Sequence, residues 1–523
     1  MSGFDLVMGD LGDSRLITFL HEHLYDWLRG RAELRSPAAF FPQQGTLGFS
    51  DAFLLDALPY ALFRTLGADR YLAMLLLQVA LSLLGFGCAA IVYIRYLRIR
   101  PLFTFPAAAL LTFPNNLFFK ASVGHVNFLG LYYVPAIVLL ALWAFDGFPN
   151  LTRRSLLRGF AAGLLFAALF STAYYVAWMF ALTLLIAAAC AAAHRAISGG
   201  SAIDKAAIGP LASLLGVAAA GFAVGLIPFA YIYAPVLATA PPRSLATYLA
   251  LAPTPLDMLN VSGANLMWGW LVDALFGTPG NNDVERSLAV TPVLTLIFVW
   301  AATKLLRRDA AGLPDPAWQR HFLIACLGVF ALGWLLTLKI GQGSLFWLPF
   351  NYIPGGVAIR AGGRLQLVVN LWVVTGLALA FDRWSRMAWA AERRRVLLGC
   401  GLLAVCAMEQ LNRHPSGLSR SGERMLVASV PPPPANCRSF FLDRPTDPVQ
   451  FQFHAMALAP ALALPTLNGS SGLVPPGWQL DPYDADYLPA VRRWIDAHRL
   501  SGVCGYDQTA GRWSAIVPLV VAD

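Results

Sequence analysis

The sequence predicts an α-helical polytopic membrane protein that ends in a small α/β soluble domain. Three observations carry that expectation. Only 13% of the 523 residues are charged and 57% are hydrophobic, whereas a soluble globular chain carries about 25% charged residues. Apolar runs at 72–94, 129–145, 160–193, 211–240, 290–306 and 322–338 approach or exceed the ~20 residues that cross a bilayer core. The basic residues fall mostly in short clusters between those runs, as they do when loops of one sign face the cytoplasm. A net charge of +9 dispersed in this way gives no basic face for nucleic acid.

Window length places about ten spans after a first segment of 69 residues: 71–94, 101–119, 127–145, 156–172, 174–193, 209–236, 289–306, 321–338, 365–381 and 396–412. Arg95, Arg98 and Arg100 follow the first span, and Arg153, Arg154 and Arg158 the third. Arg195 and Lys205 follow the fifth, and Lys304, Arg307, Arg308 and Arg320 the seventh. The ninth is followed by Arg383, Arg386, Arg393, Arg394 and Arg395. These alternate loops belong in the cytoplasm. The opposite set is poorer in charge, holding Lys120, Arg243, Arg286, Lys339, Arg360 and Arg364. The N-terminal segment and the tail then fall on the outer side. Arg15, Arg29, Arg31, Arg35 and Arg64 resist translocation as a free N-terminus, so the expectation is that one leading transmembrane helix precedes this start.

The chain divides into a first outer loop (1–69), a transmembrane region (70–412) with outer loops at 238–288 and 339–364, and an outer α/β tail (413–523). Leu16, Phe19, Leu20, Leu24, Trp27 and Leu28 recur at helical spacing. They predict a helix over 14–30 capped by Asp13 or Ser14. A second helix is expected over 47–66, capped at Ser50-Asp51. Both read as amphipathic helices lying along the outer bilayer interface. In the long loop, Trp268 and Trp270 suit an interface, and Gly277-Thr278-Pro279-Gly280-Asn281-Asn282 reads as a turn. In the tail, beyond the four prolines 431–434, 451–462 and 484–497 read as helices, and 425–430, 502–506 and 513–521 as strands. Cys88, Cys190, Cys326, Cys400 and Cys406 lie in apolar spans and read as small hydrophobes. Cys437 and Cys504 lie in the tail, where they either pair in an oxidising compartment or stand free, since sequence does not report distance. No cysteine pair has zinc-ligand spacing.

Acids are scarce, so their clustering is informative. Asp10 and Asp13 stand in Gly9-Asp10-Leu11-Gly12-Asp13-Ser14-Arg15 at the mouth of the first loop, with Glu22 and His23 beyond. An Asp there can act as general base on an acceptor hydroxyl, or ligate a divalent cation such as Mg or Mn. The competing reading is capping and turn chemistry. In the third outer loop, Arg360 and Arg364 in Ile359-Arg360-Ala361-Gly362-Gly363-Arg364 are four apart at an expected helix start, hence on one face. That suits a phosphate clamp. The alternative is interfacial snorkelling, and the outer side, where arginine is disfavoured, favours the clamp. His125 with Lys120 forms a candidate phosphate or sugar contact, against a purely structural, hydrogen-bonded histidine. Asp51 and Asp257, with Asn260 and Asn265, complete the loop candidates. There is no Walker motif and no metallopeptidase helix signature. Few ionisable residues lie in the spans, which disfavours an ion-coupled transporter.

Several stretches together resemble a known superfamily: the acidic stretch 9–15 with Leu20-His21-Glu22-His23, Phe41-Pro42 through Phe49-Ser50-Asp51, Gly124-His125, the segment 359–364, and Pro465-Thr466-Leu467-Asn468-Gly469 with Pro475-Pro476-Gly477-Trp478. Across nearly the whole chain the sequence resembles the GT-C superfamily of integral membrane glycosyltransferases, and within it a bacterial group. The resemblance implies a multi-pass protein of the bacterial inner membrane with a periplasmic tail. It implies inverting transfer of a sugar from a polyprenyl-phosphate donor to a lipid, glycan or protein acceptor on the outer face. It further implies an acidic base or metal ligand in the first outer loop, which falls on Asp13 with Asp10 second, and a basic group for the lipid phosphate, which falls on Arg360 and Arg364. The sequence departs from that pattern in lacking the helix that normally precedes the acidic loop. It also spreads the paired acids as Asp10 and Asp13, which leaves the base assignment open. Two other readings are a flippase or transporter for a lipid-linked glycan, and a non-catalytic assembly protein whose tail binds a partner.

Overall fold

The computed structural model describes residues 4–198, 205–239, 243–277, 283–307, 317–386, 392–413, 417–443, 450–480 and 486–514. Strand β1 (Leu6–Val7) leads into helices α1 (Asp13–Leu28) and α2 (Leu54–Thr65). The membrane region begins with α3 (Arg70–Ile91), α4 (Pro101–Thr112), α5 (Asn115–Ser122), α6 (Tyr133–Ala144), α7 (Arg153–Thr172), α8 (Tyr174–Ile197) and α9 (Lys205–Leu237). Loop helices α10 (Leu245–Leu251) and α11 (Gly269–Phe276) precede α12 (Pro292–Arg307) and α13 (Ala317–Thr337). A hairpin of β2 (Lys339–Ile340) and β3 (Gly343–Ser344), with α14 (Trp347–Tyr352), leads to α15 (Leu365–Arg386) and α16 (Glu392–Met408). The tail holds β4 (Leu418–Ser419), α17 (Arg420–Ala428), β5 (Ser439–Leu442), α18 (Phe451–Leu462), α19 (Tyr487–Ala497), β6 (Val503–Asp507) and β7 (Arg512–Trp513).

Among the described residues, eight helical stretches are long and apolar enough to cross a membrane. They match eight of the ten expected spans. The span expected at 289–306 is a shorter helix, Pro292–Leu306, and the one expected at 396–412 corresponds to the 17-residue α16. Glu409, just past α16, is buried and accepts the Val293 and Leu294 amides (2.7 and 2.9 Å), which neutralises the positive N-terminal end of α12. Trp270 is exposed, whereas Trp268 donates its indole N–H to that same carboxylate.

The stretch containing α15 (Gly362–Arg386) is the most enclosed, with 89% of its apolar window buried, against 17% for α9 (Lys205–Leu237). The first is the central post and the second faces outward. Even so, α9 packs tightly on α7. A Cβ on Gly221 would come within 2.1 Å of the Phe160 carbonyl oxygen, and one on Gly163 within 2.0 Å of the Ala218 carbonyl oxygen. Small residues let apolar helices approach this closely in lipid. The second span breaks at Phe113-Pro114, since proline disfavours α geometry in the residue before it. The polar α5 that follows is enclosed by protein: Asn115 donates to the Val261 carbonyl (2.8 Å) and accepts from Asn265 (3.1 Å). Irregular backbone at membrane depth is tolerated only where protein satisfies it in this way.

The first loop and the tail are built into each other. β1 pairs antiparallel with β4, Leu6 opposite Ser419. The Phe40 and Phe41 amides donate to the Asn468 and Thr466 carbonyls (3.1 and 2.9 Å), and the Thr466 amide to Ala38 (2.9 Å). Arg15 on α1 meets Glu423 on α17 (Nη2–Oε1 2.6 Å) with both side chains buried, and the Tyr71 hydroxyl donates to the same carboxylate (2.8 Å). The tail sheet has the order β5-β6-β7, parallel between β5 and β6 and antiparallel between β6 and β7. A Cys437–Cys504 disulfide, with Cα atoms 5.8 Å apart, ties it together.

Several local expectations are corrected. Helix α1 is not an interfacial helix: every residue from Ser14 to Leu24 is buried, because the tail and α2 cover the face that would otherwise meet headgroups. Its N-cap position is Gly12, and neither Asp13 nor Ser14 caps it; Asp10 Oδ1 instead accepts the Gly12 and Ser14 amides. The helix expected over 47–66 is a 3-10 turn at Thr46–Phe49 and then α2, broken at Phe53, which has φ 51°. Residues 425–428 of the strand expected at 425–430 belong instead to α17, started by the Ser419 hydroxyl accepting the Gly422 amide (3.1 Å). Arg360 and Arg364 do not share a helix face: Arg360 precedes a 3-10 turn, Gly362–Arg364, and Arg364 ends it, ahead of α15. The turn residues 278–282, and 515–521 of the last expected strand, lie outside the described residues.

Candidate functional site

The site is assembled where α1, the α5–α6 connection and the start of α15 converge. Gly124, with φ +107°, turns the chain after α5 and lies so close to Asp10 that a Cβ would sit 2.6 Å from its carboxylate. Only glycine fits there. The turn delivers His125 to within 3.9 Å of Asp13 (Nε2–Oδ2). From the other side, Arg364 Nη2 donates to His125 Nε2 (3.1 Å), while its Nε donates to Glu285 Oε2 (2.8 Å). The guanidinium also lies over the Tyr175 ring (4.7 Å to its centroid) and the Phe128 ring (5.2 Å). Lys120, with a side chain 0% exposed, completes the group through Glu285 Oε1 (3.0 Å).

These contacts set the protonation states. Burial alone would raise the Glu285 carboxyl, but Arg364 and then Lys120 hold it far below the usual carboxylate range. Burial, reinforced by Lys120 and Arg364, drives His125 well below the ordinary histidine value. Its imidazole is therefore neutral at neutral pH, and since Nε2 accepts from Arg364 the proton resides on Nδ1. Burial first, then the Asp10 charge, raises Asp13, against Arg364, Arg360 and Lys120. Asp13 nonetheless keeps 42% of its side chain open, and that surface faces a cavity.

The cavity, of about 960 Å³, has two chemically distinct parts. Asp13, Asp51, His125, Asn127, Arg243, Arg360 and Arg364 line the polar part. Trp178, Leu182 and Leu185 of α8 and Phe222, Leu226, Phe229, Tyr233 and Leu237 of α9 line the other. From Phe222 to Leu237 this apolar wall follows about 22 Å of helix. Burial also raises the Asp51 carboxyl, against the hydrogen bonds it accepts from the Tyr174 amide and from Asn127.

The structure thus brings Asp13, His125, Arg360, Arg364 and Asp51 to one cavity. It does not bring the others there. Asp10 caps the start of α1, and Lys120 lies behind Glu285. Glu22 is held by Tyr60 (2.6 Å) and Arg64 (2.6 Å). His23 bonds the Leu34 carbonyl (2.9 Å). Asp257 caps its own turn through Thr254 (2.8 Å), and Asn265 braces α5. Sequence reasoning missed Glu285, the anion around which Arg364 and Lys120 gather. Its one visible signal was its place among the chain's 29 acids, in the long loop that also carries Arg286. It also missed the tail residues Ser470, Ser471 and Gly472, which line the cavity.

Among the described residues no group of three or more His, Cys, Asp or Glu converges on a metal position. Asp10 is turned to backbone amides, and the Arg364 guanidinium donates to both His125 and Glu285. Positive charge at the site comes from arginine and lysine.

No protein-family model matches the chain, and no curated protein matches it. Among solved structures it is similar to the oligosaccharyltransferase of Archaeoglobus fulgidus. A complex with Zn and sulfate matches at 11% identity and a TM-score of 0.47, covering 95% of this chain and 64% of that one. The same enzyme tethered with an acceptor peptide containing the NVT sequon matches at 11% identity and a TM-score of 0.45, covering 94% of this chain and 65% of that one. The chain therefore spans somewhat less than two thirds of the length of the proteins it resembles.

Proposed function

We propose that this protein is a GT-C-type membrane glycosyltransferase that moves a sugar from a polyprenyl-phosphate donor to a lipid, glycan or protein acceptor on the outer face of the inner membrane. The observation that carries this reading is a single cavity joining an arginine-flanked carboxylate to a long apolar wall. An isoprenoid phosphate, a charged phosphate on a long apolar chain, uses both at once. The polyprenyl chain lies along α8 and α9 within the bilayer. Arg364 and Arg360 hold the phosphate, Arg364 being fixed by Glu285 and His125 so that it needs no reorganisation when charge develops. Asp13 takes the proton of the acceptor hydroxyl as that oxygen forms its bond to the anomeric carbon. The bond from that carbon to the phosphate oxygen breaks, and its electron pair leaves with the polyprenyl phosphate. Attack on the face of the anomeric carbon opposite the phosphate gives inversion.

The orientation rests on charge and redox. Arg95 with Asp146 and Arg100 with Asp382 pair at the end of the bundle remote from Asp13. Arg386 is about 33 Å from Arg364 by helical rise. Arginine-rich ends favour the cytoplasm, and a disulfide in the tail suits the periplasm. The test compares surface-glycan composition in a deletion strain complemented with the native gene or with Asp13→Asn. Restoration by the native gene alone supports transfer; equal restoration by both removes Asp13 as the base.

A further inference from the structure

The sugar-transfer reading leaves one requirement unmet: Asp13 and the arginines address the base and phosphate roles, and none of them reads the sugar's hydroxyls. We infer that Asp51, Asn127 and Ser471 form the subsite for the donor's glycosyl group, selecting a neutral sugar with adjacent hydroxyls. This inference rests on the function proposed above.

Three observations carry it. Asp51 lines the same cavity as Asp13 and is held by neutral donors only: the Tyr174 amide to Oδ1 (3.0 Å) and Asn127 Nδ2 to Oδ2 (2.8 Å). A carboxylate offers about four acceptor positions, so two remain for ligand hydroxyls. Among the described residues no Lys or Arg forms an ion pair with it, unlike Glu22, Glu285 and Glu423. Asn127, also lining the cavity, gives one amide N–H to Asp51 and makes no other side-chain hydrogen bond among the described residues. Ser471, on the tail segment that closes over the cavity, has a buried hydroxyl with no hydrogen-bond partner. Buried polar groups are nearly always paired, and a bound hydroxyl-rich ligand supplies the partner this one lacks.

The chemistry defines the ligand class. A carboxylate, a carboxamide and a hydroxyl lining one cavity suit hydroxyl groups that both donate and accept. A uronic acid would set a second carboxylate against Asp51 and is disfavoured. The subsite draws on the first loop, the α5–α6 connection and the tail, so it is complete only when the tail is docked.

The test measures binding of a polyprenyl-phosphate hexose and of bare polyprenyl phosphate of equal chain length to the purified full chain, as native protein, Asp51→Asn and Ser471→Ala. Both variants are expected to bind bare polyprenyl phosphate as the native protein does. Asp51→Asn weakens the hexose donor about ten- to a hundredfold and Ser471→Ala about three- to tenfold. Ser471→Ala removes an atom that contacts no partner, so a selective loss there has no structural explanation. Unchanged hexose-donor binding in both variants overturns the inference, as does equal weakening of both ligands. Failure of the native protein to bind either ligand removes the sugar-transfer reading itself, and the subsite with it.

Discussion

Asp13 illustrates how a single residue acquires a role from its neighbours. An acid opening a helix usually serves the helix, but here Asp10 caps α1 and leaves Asp13 to face the cavity. Asp13→Asn should lower turnover about 10²–10⁴-fold, the usual contribution of a general base, with donor binding retained. The pH profile separates the two acids. A base works only when deprotonated, and burial together with Asp10 raises the Asp13 carboxyl. Activity should therefore fall on acidification at a pH above the ordinary carboxylate range. Asp10→Asn keeps the oxygen that accepts the Gly12 and Ser14 amides but removes the like charge, so this acid limb should move to lower pH. A limb that does not move assigns the pH dependence to another group. The acidic stretch, His125 and the arginines were legible in the sequence because charged groups are rare in this chain. Their division into cap, brace and cavity-facing group was not, because it depends on the Gly124 turn and on Glu285, contacts that span the chain.

At the scale of elements, two buried carboxylates hold parts together that the sequence keeps far apart. Glu285 joins the long loop to α5 and the start of α15. Its replacement by Ala leaves Arg364 and Lys120 buried and unpaired, and should destabilise the protein by about 3–5 kcal/mol, read as a lower thermal midpoint in detergent. A midpoint equal to the native one would mean that the site tolerates free buried cations. Glu423→Ala removes the partner of Arg15 across α1 and α17, with a similar loss expected. It should expose the tail to limited proteolysis while the membrane helices stay intact, and equal protease resistance would count against the interlock. Helices α1, α18 and α19 were readable from apolar periodicity. The residues of α17 were misread because Met425-Leu426-Val427 resembles a strand. The Ser419 cap and the Glu423 pair decide otherwise, and neither is a local apolar signal.

For the whole molecule, long apolar runs made the membrane bundle plain, since a bilayer fixes the length of a spanning helix. The sequence concealed that the first loop and the tail form one body over the cavity, because strand pairing such as Leu6 with Ser419 leaves no trace in composition. The proposed orientation makes a direct prediction. In intact cells a membrane-impermeant thiol reagent should label Cys437 and Cys504 only after reduction, and labelling only after the inner membrane is opened would reverse the topology. The central claim is that Asp13 drives sugar transfer from an isoprenoid phosphate held by Arg364 and Arg360. Its most direct test is a single-turnover measurement of polyprenyl phosphate released from a polyprenyl-phosphate hexose by purified native protein and Asp13→Asn, in the presence of a membrane acceptor fraction. Release by the native protein and its loss in the variant, at equal donor occupancy, is the expected result. Equal release by both, or none by the native protein while it holds the donor, would contradict the account.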